Sequence, residues 1–135
     1  MIRAKKSLGQ NFLIDKEVLE KITNVVQIKD KTILEVGPGT GNLTSFILKK
    51  NPKKMFVIEK DDDLAINLSE TFKDQLTIIN DDILQVDENL IFKNKVTVFG
   101  NLPYNISTEI LSKWITQTKD EFWFNNLILM FQKEV

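Results

Sequence analysis

The stretch Ile33-Leu34-Glu35-Val36-Gly37-Pro38-Gly39-Thr40-Gly41-Asn42-Leu43-Thr44 passes from an apolar run, through three glycines in five positions, into a helical pattern. A strand tip that turns through glycines into a helix lets a ligand approach the backbone with no Cβ in the way, as nucleotide-binding α/β folds require. The spacing is G-x-G-x-G rather than G-x-G-x-x-G, and Pro38 removes an N–H that a pyrophosphate cradle would use. No Lys-Ser or Lys-Thr follows Gly41, so the loop is not a P-loop. A ligand without a phosphate, such as a nucleoside, fits better here than a dinucleotide or a nucleoside triphosphate.

Outward from this loop, apolar periodicity switches repeatedly between strand and helix. Thr32 to Val36, Met55 to Ile58, Leu76 to Ile79, Val96 to Phe99 and Leu127 to Phe131 read as strands. Helical faces are predicted for Val18 to Val26 behind the N-cap Asp15, for Leu43 to Ile47, for Leu64 to Phe72, and for Ile110 to Ile115 with a start at Ser107. Asp61-Asp62-Asp63 suits a helix start, where acids complement the dipole and cap free N–H groups. Strands alternating with helices predict an α/β fold with a parallel sheet covered on both faces. Trp114, with Ile110 and Leu111 on one helical face, is expected to pack in the core or an interface, as are Phe122, Trp123 and Phe124.

Leu127 to Phe131 is apolar on both faces, which suits a central strand and is an aggregation liability on an open edge. The expectation is that at least one more strand pairs beside it, and that residues 1–135 are the N-terminal part of a larger domain.

Composition narrows the chemistry. The 135 residues contain no cysteine and no histidine, which removes thiol nucleophiles, disulfides and the commonest general base and metal ligand. The net charge is −1 and Arg3 is the single arginine, so bidentate arginine readout of bases is almost absent. No apolar run nears the roughly eighteen residues of a membrane span, and Met1 to Lys6 lacks the apolar core of a signal peptide, so a cytoplasmic protein is expected. No metal and no membrane enter this reading.

Two acids and one short motif mark further strand ends. Glu59 ends the second strand about twenty residues beyond the glycines, where an acid accepts hydrogen bonds from ribose hydroxyls. Asp82 sits at the end of the third strand, where its carboxylate can accept from an adenine amine. With Gly37 and Gly39 these describe an adenosine-shaped slot. Asn101-Leu102-Pro103-Tyr104, at the exit of the fourth strand, offers a carboxamide, a carbonyl in a proline-fixed turn and an aromatic face. These are the parts that grip a planar base by its exocyclic amine.

In this order the motifs resemble the ribosomal RNA adenine dimethyltransferases that use S-adenosylmethionine and modify small-subunit rRNA. Lys6-Ser7-Leu8-Gly9-Gln10-Asn11-Phe12-Leu13 is similar to the family's N-terminal signature. The Glu35 to Thr44 loop, Ile58-Glu59, Asp82, Asn101 to Tyr104 and Met130-Phe131-Gln132-Lys133-Glu134-Val135 follow. The resemblance implies a Rossmann-like S-adenosylmethionine-dependent methyltransferase fold with a mostly parallel sheet. In this chain that sheet would stop after the fifth strand, without the family's last strands and C-terminal helical domain.

Carried over position by position, the family's cofactor contacts fall on Asn11, Leu13, Gly37, Glu59, Asp82 and Asn101. Asn101, Leu102, Pro103 and Tyr104 would form the catalytic motif. The family usually has a small residue before the adenine-binding Asp; here Asp81 stands there, and Asp81 remains an alternative contact. The implied reaction is direct methyl transfer to N6 of a flipped adenine, performed twice. Arg3, Lys5 and Lys6 are candidates for RNA phosphates. The implied partner is small-subunit rRNA or a pre-ribosomal particle, and a monomer is expected for the full-length protein. Alternatives are an adenine methylase of large-subunit rRNA, a non-catalytic ribosome-assembly binding factor, and a nicotinamide-dependent oxidoreductase, which the glycine spacing disfavours.

Overall fold

The computed structural model describes residues 15–117 and 122–132. Its elements are α1 (Lys16–Thr23), β1 (Thr32–Val36), α2 (Asn42–Leu48), β2 (Lys54–Ile58), α3 (Asp62–Phe72), β3 (Thr77–Ile79), α4 (Glu88–Ile91), β4 (Val96–Pro103), α5 (Tyr104–Gln117) and β5 (Phe124–Gln132). A 3-10 turn, Lys73–Gln75, joins α3 to β3. All four strand pairings are parallel, in the order β3-β2-β1-β4-β5.

Alternation along the strands separates two cores. Leu34, Val36, Ile58 and Val98 face Ile110 and Trp114 of α5, together with Ile83, Val86, Phe92 and Trp123. Ile33, Met55, Val57 and Phe99 point to the other face, against Leu19, Leu43, Ile47 and Leu68 of the first three helices. A sheet buried on both faces explains why its strands read as apolar runs rather than alternating ones. Among the described residues no helix is long and apolar enough to cross a membrane.

Asp15 and Asp61 are the N-caps expected of them: Asp15 accepts from the N–H groups of Glu17 and Val18, and Asp61 from that of Leu64. Trp114 is buried with Ile110, whereas Phe122, although its ring lies against Phe124, remains 44% exposed. Several boundaries differ from the sequence reading. The first helix stops at Thr23, so Val25 is exposed instead of sharing the buried helical face. β4 continues through Asn101, Leu102 and Pro103, because β5 pairs with it as far as Gln132. The next helix begins at Tyr104, three residues before the expected Ser107. Proline's fixed φ is compatible with the start of a helix, so strand passes to helix without a linker. β3 ends at Ile79, which leaves Asp82 in the connection beyond the strand. The strand expected to be central, β5, lies at the edge among the described residues.

Candidate active site

From β1 the chain runs outward to β2 and β3, then returns to place β4 on the other side of β1. Open α/β sheets bind ligands at the carboxyl ends of their strands where the winding reverses in this way. Val36 is in register with Gly100, so the glycine loop leaves β1 directly beside the last residues of β4. Gly37 has φ +67°, and a Cβ built there would overlap Leu102 Cδ2. The backbone angle therefore favours glycine, and any Cβ would also require the Leu102 side chain to shift. Leu102 is thereby packed onto the loop.

The loop is held by its own backbone and by Glu59. Gly37 N–H donates to Ile58 O at 2.9 Å and Gly41 N–H to Pro38 O at 3.0 Å, which closes the turn into α2. Gly39 N–H donates to Glu59 Oε1 at 3.1 Å, and Asp61 N–H donates to Glu59 Oε2 at 3.0 Å. One carboxylate thus joins the tip of β1 to the start of α3. Burial pushes the Glu59 carboxyl above the ordinary carboxylate range, against the lowering effect of the N–H donors of Asp61 and Gly39. An ionised carboxylate has about four lone-pair sites, so accepting capacity remains beyond these backbone donors for a ligand hydroxyl.

Beneath the loop lies Glu35, 1% exposed, a residue the sequence reading gave no role. Thr44 Oγ1 donates to its Oε1 at 2.5 Å. Its carboxyl is pushed up to about 8, first by burial and further by the charge of Glu59, while the Thr44 hydrogen bond opposes the shift. The available signal was the acid itself, since a carboxylate inside an otherwise apolar parallel strand is rarely a surface residue.

Asp82 is partly exposed. Its Oδ1 accepts from Leu84 N–H at 3.0 Å, and its Oδ2 lies 3.3 Å from Lys60 Nζ, which belongs to the residue after Glu59. Asp81 turns Oδ1 back onto Asp82 N–H at 2.7 Å and is exposed. Asn80, which sequence reasoning passed over, donates through Nδ2 to Glu59 O at 3.0 Å and ties the β3 tip to that of β2.

Gly37, Gly39, Glu59 and Leu102 are therefore brought together, Asn101 and Pro103 lie on the same strand end, and Asp82 joins them through Lys60. Tyr104 opens α5 as its first residue. Asn11 and Leu13 lie outside the described residues, as do Arg3, Lys5, Lys6 and the Lys133-Glu134-Val135 end of the last motif.

A family model described as ribosomal RNA adenine dimethylase matches residues 1–135. The ribosomal RNA small subunit methyltransferase A of Pelagibacter ubique (strain HTCC1062) is 66% identical over 134 residues, covering 99% of this chain and 51% of that protein. A dimethyladenosine transferase from Plasmodium falciparum superposes with a TM-score of 0.74 at 28% identity, over 91% of this chain and 44% of that one. The 23S rRNA methyltransferase ErmE gives a TM-score of 0.68 at 25% identity, over 78% and 43%. The chain spans about half the length of the curated relatives it matches.

Proposed function

The chain belongs to the ribosomal RNA adenine dimethylase family, and from that membership we propose that it serves S-adenosylmethionine-dependent dimethylation of adenosine N6 in small-subunit ribosomal RNA during ribosome assembly. The observation that carries the proposal is the packing of Leu102 on Gly37. It sets the Asn101 to Tyr104 segment against the glycine loop, so a nucleoside slot and a grip for a planar amine share one crevice. The name of the Pelagibacter relative favours the small subunit over the large one as the source of the substrate.

The residues suit that cofactor by their donor and acceptor chemistry. A ribose presents hydroxyl donors and an adenine an amine donor; Glu59, just beyond β2, and Asp82, in the connection after β3, present carboxylate acceptors. Bound there, the sulfonium supplies an electrophilic methyl group. Glu59 holds the ribose, Asp82 the adenine amine, and Gly37 and Gly39 leave the backbone bare beside them.

For the target base, the Asn101 side-chain oxygen and a backbone carbonyl of Leu102 or Pro103 accept the two N6 hydrogens. An adenine amine is a poor nucleophile because its lone pair is delocalised into the ring. Acceptors on both hydrogens orient that lone pair toward the methyl carbon and favour its pyramidal form. As the N–C bond forms and the methyl–sulfur bond breaks, its electron pair passing to sulfur to leave a neutral thioether, the same acceptors stabilise the positive charge developing on nitrogen, and one hydrogen leaves as a proton to water. Alignment and charge stabilisation take the place of a strong base. Tyr104 is assigned to stacking the flipped base.

Calorimetric titration of the chain with S-adenosylmethionine tests the slot. Binding that Glu59→Ala weakens by tenfold or more, roughly the loss of one hydrogen-bonding carboxylate, is the expected result; unchanged binding would remove Glu59 from the site. Asn101→Ala is expected to lower methylation of immature small subunits by about a hundredfold while leaving binding to the particle intact. Persisting methyl transfer would overturn the role given to Asn101. Loss of particle binding instead of turnover would favour the assembly-factor reading.

A further inference from the structure

We infer that Lys113 is a positioning residue for the adenine end of the slot, holding the turn that carries Asp82 against the helix launched by the Asn101 to Tyr104 segment. The inference rests on the reading of Asp82 as the adenine contact.

Lys113 sits in α5 with its side chain only 9% exposed. Its ammonium has three donors, and each has a partner: Ile83 O at 2.5 Å, Val86 O, and Glu88 Oε2 at 3.0 Å. Glu88, 1% exposed, accepts on the same oxygen from Trp114 Nε1 at 2.6 Å. The pair is thus buried, with all three ammonium donors used and Glu88 Oε2 accepting two hydrogen bonds. Packing alone does not explain it, because an apolar side chain fills such a space without the cost of desolvating two charges. What an apolar side chain cannot do is grip carbonyls.

The carbonyls it grips flank one short turn. Asp82 O accepts from Gln85 N–H at 2.8 Å and Asp82 Oδ1 from Leu84 N–H at 3.0 Å, so Asp82 opens the turn whose carbonyls at Ile83 and Val86 Lys113 clamps. No strand pairing holds residues 80–87, since β3 ends at Ile79 and α4 begins at Glu88. Lys60 steadies the carboxylate from the exposed side only, with its own side chain 63% exposed, an arrangement worth little in water. Beside the core side chains of Ile83 and Val86, Lys113 is the buried polar attachment, which grips the turn's backbone and ties it through α5 to the strand end bearing Asn101.

The test compares S-adenosylhomocysteine with S-inosylhomocysteine, in which a carbonyl replaces the adenine amine, by calorimetry on the full chain. Asp82→Ala calibrates it and is expected to narrow the affinity ratio between the two ligands by roughly tenfold. Lys113→Met with Glu88→Gln removes both charges together, and the amide introduced by Glu88→Gln keeps an acceptor for Trp114. This double variant is expected to narrow the ratio to a similar extent, whereas Glu88→Gln alone, with both carbonyl contacts retained, leaves it unchanged. Lys113→Gln in the Glu88→Gln background offers two donors instead of three, is expected to fall between, and replaces the methionine variant if that one does not fold.

A ratio that Asp82→Ala leaves intact overturns the reading of Asp82, and the positioning role with it. If Asp82→Ala narrows the ratio while the Lys113 variants weaken both ligands equally, or neither, Lys113 is structural and only the positioning role falls.

Discussion

Glu35 occupies a place that a doubly covered parallel strand ordinarily gives to valine or isoleucine, and its carboxyl is held near 8 against an ordinary 4.5. Between those values the folded chain binds more protons than the unfolded one. The stability due to Glu35 is therefore full below about pH 4.5, falls as the pH rises, and is lost above about pH 8. At about 1.4 kcal/mol per unit, the loss is on the order of a few kcal/mol, and the raised Glu59 adds to it in the same direction. Urea unfolding across this window is expected to show the decline, and Glu35→Gln, which keeps an acceptor for Thr44, to flatten it. An equally steep decline in the variant would assign the pH dependence to other groups. The sequence shows that an acid stands at position 35; its partner Thr44 and its burial arise only once α2 has docked on β1.

At the scale of elements, α3 shows how a local signal serves the site. Asp61 caps the helix through Leu64 N–H at 3.0 Å, and its own N–H holds Glu59. Asp61→Ala is expected to destabilise the chain by about 1 kcal/mol, the ordinary worth of an N-cap, measured by thermal unfolding. Its backbone donor to Glu59 survives, so cofactor binding should fall by much less than in Glu59→Ala; equal losses would show that the cap itself positions Glu59. Caps and the larger helices were legible because their signals lie within a few neighbouring residues. The short α4 and the entry to α5 at Tyr104 were not, since α4 has a single turn and β4 is prolonged by pairing with a strand distant in sequence.

For the whole molecule, the two cores are separate stores of stability on opposite faces of one sheet. Trp114 lies edge-on to Trp123 with centroids 5.1 Å apart and donates to Glu88; Leu68 is fully buried on the other face. Trp114→Ala is expected to cost about 3–5 kcal/mol and Leu68→Ala about 2–5 kcal/mol, against a total of about 5–15 kcal/mol for a typical domain. Because the two residues belong to separate clusters on opposite faces, denaturant unfolding of Trp114→Phe with Leu68→Val should give costs that add within about 0.5 kcal/mol; strong coupling would mean that the sheet transmits strain between its faces.

By itself the amino-acid sequence determined the types of the strands and the longer helices, the glycine loop, the acid Glu59 just beyond β2 and the position of the Asn101 to Tyr104 segment at the passage from the fourth strand to a helix, because each depends on residue type and short-range spacing. Strand order, the packing of Leu102 on Gly37, the raised carboxyls of Glu35 and Glu59 and the Lys113 clamp were decided only by tertiary structure. Periodicity tells which face of an element is buried but not what it is buried against, and both the shift of a pKa and the reach of an ammonium depend on groups that folding brings from elsewhere in the chain.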